Sequence, residues 1–282
     1  MKTPEWPGKP VTWQGEAGGG RTLFMSIPFT WNLVEAREFL SHPNMFWESA
    51  IVGGPAVKLM PDFFKELDWV TVQDEMPGVL QRVNPMATRT TEGCTRKCGF
   101  CGIGKGAIEP GGMKLLETWP DLPVICDNNI LAAPQHHFDK VCDRLEKHGW
   151  ADFNQGLDAR ILNIYHAERF KRIGRPVLRL ALDHQGMMDE WENAYSTLLS
   201  VKVPKKLIHS YALVGFMTGP EEAWQRCEWI EKHNINVLPM WYHALDCLTH
   251  NQVSEEQEAW GWTDFERRRL MQWFWKRKKV VR

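Results

Sequence analysis

The chain has 282 residues, 43% of them hydrophobic, and its 34 basic and 35 acidic side chains leave a formal charge of −1. That length can bury one large core or a core with a small annex. The charge balance argues against a protein that coats nucleic acid or anionic membrane along its whole length, while permitting a local basic patch. Residues 1–7 hold no apolar stretch of the signal-peptide kind, and no run reaches the about 20 apolar residues of a membrane helix. A cytoplasmic protein with no membrane partner is expected. Seven cysteines, three of them clustered, fit reduced thiols and metal better than a disulfide framework.

In chain order, residues 1–20 are rich in Gly and Pro, end in Gly18-Gly19-Gly20, and read as a poorly structured lead-in. A strand over 21–28, a helix over 31–40 and strands over 49–52 and 68–72 then predict a small parallel α/β unit within residues 1–85. From residue 86 a strand-then-helix unit repeats. Strands are expected at 86–91, 123–127, 151–157, 176–183, 207–215 and 236–242, with helices at about 111–118, 136–148, 162–173, 188–200 and 220–233. The spacing suits parallel βαβ crossovers, and six such strands suggest an incomplete β/α barrel over 86–245.

Residues 246–282 are expected to form a helical extension. Thr263-Asp264-Phe265-Glu266 is a capping box that starts its last helix. Between Thr263 and Arg282, eight Lys or Arg side chains face two acidic ones, with Trp273, Phe274 and Trp275 interleaved. Such a segment is a candidate contact for nucleic acid or another polyanion. It also suits a helix whose aromatics cover the barrel.

The chemistry concentrates in Thr91-Glu92-Gly93-Cys94-Thr95-Arg96-Lys97-Cys98-Gly99-Phe100-Cys101-Gly102. Three thiolates at this spacing converge only if the backbone wraps a compact inorganic body, for which Gly93, Gly99 and Gly102 supply room. Arg96 and Lys97 put positive charge beside thiolates that would otherwise repel one another. Three ligands are one short of a closed site, and no fourth Cys or His follows closely. A zinc site borrowing Cys126 or His184 is the alternative use of the same residues.

Cys94, Cys98 and Cys101, as C-x3-C-x2-C, resemble the signature of the radical S-adenosylmethionine (SAM) enzymes. The resemblance implies a 4Fe–4S cluster with one iron left open to SAM. It also implies a reductant such as flavodoxin or ferredoxin, and a 5′-deoxyadenosyl radical that abstracts a substrate hydrogen. The implied fold is α/β, a partial (β/α)6 barrel with the cysteine loop after its first strand. Ser26-Ile27-Pro28-Phe29-Thr30-Trp31 and Ile51-Val52-Gly53-Gly54-Pro55 look like the cobalamin-binding-type domain of one branch of that family. The unit is short and lacks the Asp-x-His-x-x-Gly segment, and His42 stands alone, so cobalamin is not expected.

Parallel barrels place their chemistry at the C-terminal ends of the strands, and those ends are polar here. Given SAM, Arg160 can pair with its methionyl carboxylate, and Asp183 or Asp127 can accept from its ribose or amine. Phe100 sits where the family packs an aromatic against adenine. Glu109 matches the acidic residue that follows the cluster loop, and Gly215 the glycine that lets the fifth strand approach adenine. Turn or helix capping is the competing use of Asp127 and Asp158. His184, beside Asp183, is the expected proton donor or acceptor. Cys142 and Cys227 read as packed thiols, whereas Cys126 and Cys247 could meet the site. The expected reaction is an isomerisation, rearrangement or modification of a modified nucleotide or nucleic-acid base. A non-catalytic zinc or iron–sulfur module is the alternative.

Overall fold

The computed structural model of the chain describes residues 8–17, 20–42, 46–74, 76 and 78–278. Its first sheet is built from β1 (Val11–Ala17), β2 (Gly20–Ser26), β3 (Ser49–Gly53) and β4 (Val70–Val72), in that order. Strands β2, β3 and β4 pair in parallel, and helices α1 (Leu33–Ser41) and α2 (Pro55–Leu59) lie between them in the chain. Leu23, Met25, Ile27, Leu33, Leu40, Val52 and Phe64 form a core of its own.

The lead-in expectation needs correction at β1, which pairs antiparallel with β2 along all seven of its residues. Val11, Trp13 and Gly15 alternate with polar Thr12 and Gln14, a period of two that the surrounding Gly and Pro obscure. Trp13 stacks on Phe24 at 5.4 Å, and Arg82 of α3 (Val79–Val83) lies 4.7 Å over its ring. Residues 1–7 lie outside the described part.

The second sheet takes one strand from each expected repeat. These are β5 (Ala87–Thr88), β8 (Val124–Ile125), β9 (Ala151–Phe153), β11 (Pro176–Leu182), β12 (Ile208–Val214) and β13 (Asn236–Trp241); β6 (Thr91–Cys94) and β7 (Gly112–Leu115) belong to a separate hairpin. The spatial order is the chain order, every pairing is parallel, and β10 (Leu157–Asp158) adds to β11. Among the described residues the two ends of this sheet are not joined. Crossovers that always step the same way, with the usual right hand, put their helices on one face. Those helices are α4 (Gln135–His148), α5 (Ile164–Arg172), α6 (Met188–Ser200) and α7 (Pro220–Lys232).

Burial alternates along β11 and β12 as a one-sided helical layer requires. Leu178, Leu180, Leu182, Ile208 and Val214 join Phe138, Phe170, Trp191, Leu198 and Ile230 in one core, while Arg179, Ala181, Tyr211 and Leu213 face the other side half-buried. Trp191 is fully buried and donates its Nε1 proton to Ser210 Oγ at 2.9 Å, which removes the cost of an orphaned indole N–H.

Three expected elements differ. The strand at 86–91 is only β5, after which the chain turns into β6 (Thr91–Cys94). The helix at 111–118 is the strand β7 (Gly112–Leu115), antiparallel to β6. Gly111 and Gly112 disfavour helix, and Glu92 and Lys114 pair across the hairpin at 3.2 Å. The strand expected at 151–157 divides into β9 and β10 around Asn154-Gln155-Gly156. Beyond β13 come α8 (Glu255–Ala259) and α9 (Asp264–Lys278). No helix among the described residues is long and apolar enough to cross a membrane.

Candidate functional site

The cysteine loop hangs from the β6–β7 hairpin. Cys94 closes β6, opposite Gly112, and Gly93 adopts φ +73°, where an added Cβ would lie 2.0 Å from Gly112 O. Only glycine passes this point. Beyond Cys98 the loop folds on itself through successive turns, with Cys101 N donating to Cys98 O at 3.1 Å, Lys105 N to Cys101 O at 3.0 Å and Ala107 N to Gly102 O at 2.9 Å. All three thiols are free and half-buried, and the Arg96 amide lies 3.4 Å from Cys94 Sγ.

Glu109 pins this loop. Its carboxylate grips Arg89 in a fork at 2.7 and 2.9 Å and accepts from Gly93 N at 2.6 Å and Asn128 Nδ2 at 3.0 Å. Burial pushes its pKa up, but Arg89 and the amide donors win and hold it below the usual carboxylate range. Asp127, 3% exposed, accepts from Thr90 N at 2.6 Å, Thr90 Oγ1 at 2.5 Å and Thr91 N at 2.9 Å. It caps the turn from β5 to β6, and burial raises its pKa despite those donors. Both carboxylates shape the loop and neither lines the cavity described next.

A cavity of about 430 Å³ opens over the strand ends. Its polar wall carries Arg96, Lys97, Cys98, Arg160, Asp183 and His184, and its apolar wall carries Phe100, Met187, Leu213, Phe216 and Met217. Five residues expected at the site therefore meet here: Cys98, Phe100, Arg160, Asp183 and His184. The size and mixed lining suit an organic cofactor or nucleoside-sized ligand. Phe100 packs edge-on to Phe216 at 5.6 Å, and Phe216 to Tyr242 at 4.8 Å. Burial pushes the Asp183 carboxyl upward, opposed by Arg160, Arg226 and His184. For the Cys98 thiol, burial raises the pKa first, then Asp183 and the neighbouring Cys101 and Cys94, while Arg160 opposes.

Asp158 links the two sides of the site. It is 5% exposed and takes Arg96 Nε at 2.8 Å and Arg160 Nε at 2.6 Å, so one carboxylate ties the cysteine loop to the end of β10. Burial would raise its pKa, and the two guanidiniums hold it low. The sequence offers its side chain both as one of the polar strand-end groups and as a cap; the pairing with Arg96, 62 residues away, carries no local signal.

Gly215 sits at φ +80°, and a Cβ there would meet Trp241 at 2.8 Å and Gln257 Nε2 at 2.9 Å. Its freedom serves the packing of β13 and α8. Gln257, 4% exposed, donates to both Gly215 O and Tyr242 O at 2.9 and 3.0 Å, and Trp262 Nε1 donates to Thr218 O at 2.7 Å. The C-terminal extension thus fixes the loop after β12 that walls the cavity. Cys126 is buried, with its thiol pushed up to about 12, as are Cys142 and Cys227. Cys247 bonds to Thr249 O at 2.8 Å and does not line the cavity.

In α9, Thr263 Oγ1 accepts from Glu266 N at 3.2 Å. Arg267 and Arg268 pair with Asp264 at 3.4 and 3.6 Å, Arg269 pairs with Glu266 at 3.5 Å and lies 5.2 Å over Trp224, and Trp224 meets Trp273 edge-on at 5.5 Å. Arg267 and Arg268 thus pair within the helix, and Arg269 with Trp273 ties it to α7. Lys279 and Arg282 lie outside the described residues.

The three thiols have the donor chemistry and partial exposure that iron–sulfur ligands need. Among the described residues, no three His, Cys, Asp or Glu side chains already converge on a metal-sized point. No family model matches this chain, and no curated protein matches it.

Proposed function

We propose that the chain is a radical SAM enzyme built on a partial (β/α)6 barrel, and that it acts on a modified nucleotide or nucleic-acid base. The observation that carries the reading is the shared cavity. A C-x3-C-x2-C loop brings Cys98 and Phe100 to the C-terminal ends of consecutive parallel strands, against Arg160, Asp183 and His184.

Cys94, Cys98 and Cys101 would hold a 4Fe–4S cluster, which with bound SAM supplies a 5′-deoxyadenosyl radical for hydrogen abstraction when a reductant such as flavodoxin or ferredoxin delivers the electron. The protein's own contribution is placement. Arg160, oriented through its Nε by Asp158, offers a guanidinium to the methionyl carboxylate. Asp183 accepts from the amine or ribose. Phe100, Phe216, Met187 and Leu213 form the apolar slot for a flat ring and exclude water from it. His184, exposed at the rim, can take or give a proton at an imidazole nitrogen. Asp127, Glu109 and Gly215 are assigned to the frame on their contacts.

The test is anaerobic reconstitution. The wild type should take up four irons with matching sulfide per chain and, once reduced, release 5′-deoxyadenosine from SAM, whereas Cys94→Ala, Cys98→Ala and Cys101→Ala should lose both. Stoichiometric zinc without iron, or cleavage that survives the three replacements, would overturn the proposal.

A further inference from the structure

The four-stranded unit meets the rest of the chain at a joint that the cavity does not explain. The segment leaving β13, residues 242–251, runs beside the cysteine loop. A side chain at position 102 would come within 3.4 Å of Leu245 Cδ2, so Leu245 sits directly against the residue that follows Cys101. Tyr242 joins the same segment to the cavity through Phe216.

The N-terminal unit also contacts this segment. Thr30, 3% exposed, donates its hydroxyl proton to Cys247 O at 2.6 Å. The Trp31 ring lies 4.6 Å from His243 and stacks on His250 at 4.7 Å, and Phe29 stacks on Trp31 at 4.4 Å. Burial, with His250 next, lowers the His243 pKa to about 4, so that ring meets Trp31 uncharged at neutral pH. His243 Nε2 accepts from Asn251 N at 3.1 Å. His243, Cys247 and His250 repeat the x3, x2 spacing of the cysteine motif, but here His243 Nε2, the Cys247 thiol and His250 Nδ1 are hydrogen-bonded to Asn251 N, Thr249 O and Asn251 Nδ2.

We infer that Trp31 is a positioning residue, through which the N-terminal unit works as a strut that presses residues 242–251 onto the cysteine loop and keeps its turns closed. This gives the unit a task that needs no cofactor of its own. The strut acts on the loop whatever the loop binds, so its failure would leave the proposed function standing.

The experiment is hydrogen–deuterium exchange of the metal-free full chain, comparing wild type with Trp31→Ala, Trp31→Phe and Thr30→Val. In Trp31→Ala, the amides of Cys101, Lys105, Gly106 and Ala107, bonded within the loop, should exchange about 10-fold faster or more, as local opening predicts. Amides of β2, β3 and the β11–β13 ladder should keep their rates. Trp31→Phe should retain most of the loop protection. Thr30→Val, which keeps the side-chain shape and removes one donor, should show a smaller effect in the same peptides and covers the case in which Trp31→Ala does not fold. Faster exchange confined to 242–251, or an equal loss of protection across both sheets in every variant, would overturn the inference.

Discussion

Glu109 offers the sharpest test of what the acidic residue after the cysteine loop does. Its side chain is 14% exposed and that of Arg89 27%, so the pair lies between a surface bridge, about 0–1 kcal/mol, and a fully buried one, about 3–5 kcal/mol on losing a partner. Glu109→Gln keeps one acceptor oxygen but turns an NH2 group toward Arg89, Gly93 or Asn128, all of which donate. One unsatisfied donor contact of this kind costs about 1–3 kcal/mol, and together with the lost charge a destabilisation of about 3 kcal/mol is expected. Urea unfolding of the metal-free protein at neutral pH measures it, and an Arg89→Met, Glu109→Gln double-mutant cycle should return a coupling of at least about 1.5 kcal/mol. The pH dependence gives a second readout. Because the folded-state pKa of Glu109 is depressed, its contribution is present above the ordinary carboxylate range and is lost as pH falls through the folded value. The variant should therefore show a flatter acid limb. Stability within about 0.5 kcal/mol of wild type, with a loss only in SAM affinity, would refute the pinning role and return Glu109 to the ligand.

Arg160→Ala should weaken SAM binding by about 1.5–3 kcal/mol, the size of a missing charge-assisted bond, with iron content unchanged; equal affinities by calorimetry on reconstituted protein would remove Arg160 from the site. Gly215→Ala should destabilise even the metal-free protein by about 2–4 kcal/mol, since it combines a left-handed φ with a clash against Trp241; unchanged urea unfolding would contradict that packing role. Replacing Lys276, Arg277, Lys278 and Lys279 by Gln tests the nucleic-acid interaction in anisotropy titrations at several salt concentrations: affinity should fall, and the slope of log K on log salt should flatten by about 0.7–0.9 for each phosphate no longer neutralised. Wild-type binding no tighter at low salt than that of a neutral protein of similar size would end that interaction, leaving a free nucleotide substrate open.

Local pattern alone placed the repeat of strands and helices from residue 123 onward, because hydrophobic periods of two and 3.6 are properties of neighbouring residues. It also marked the cysteine loop, whose spacing is chemical rather than conformational, and the polar strand ends that contribute Arg160, Asp183 and His184. It missed β1 and misread residues 112–115 as helix, since a hairpin partner, absent from a short window, decides both strands. The roles of Glu109, Asp127 and Gly215 depended on tertiary structure for a further reason. A carboxylate offers the same oxygens to a ligand or to a backbone amide, and only the fold brings Arg89, Thr90 or Trp241 within reach. Asp158 with Arg96, Gln257 with Gly215 and Trp31 with His243 are pairings across 62, 42 and 212 residues of chain. Such pairings arise when separately encoded elements pack, and no property of either residue's neighbours announces them.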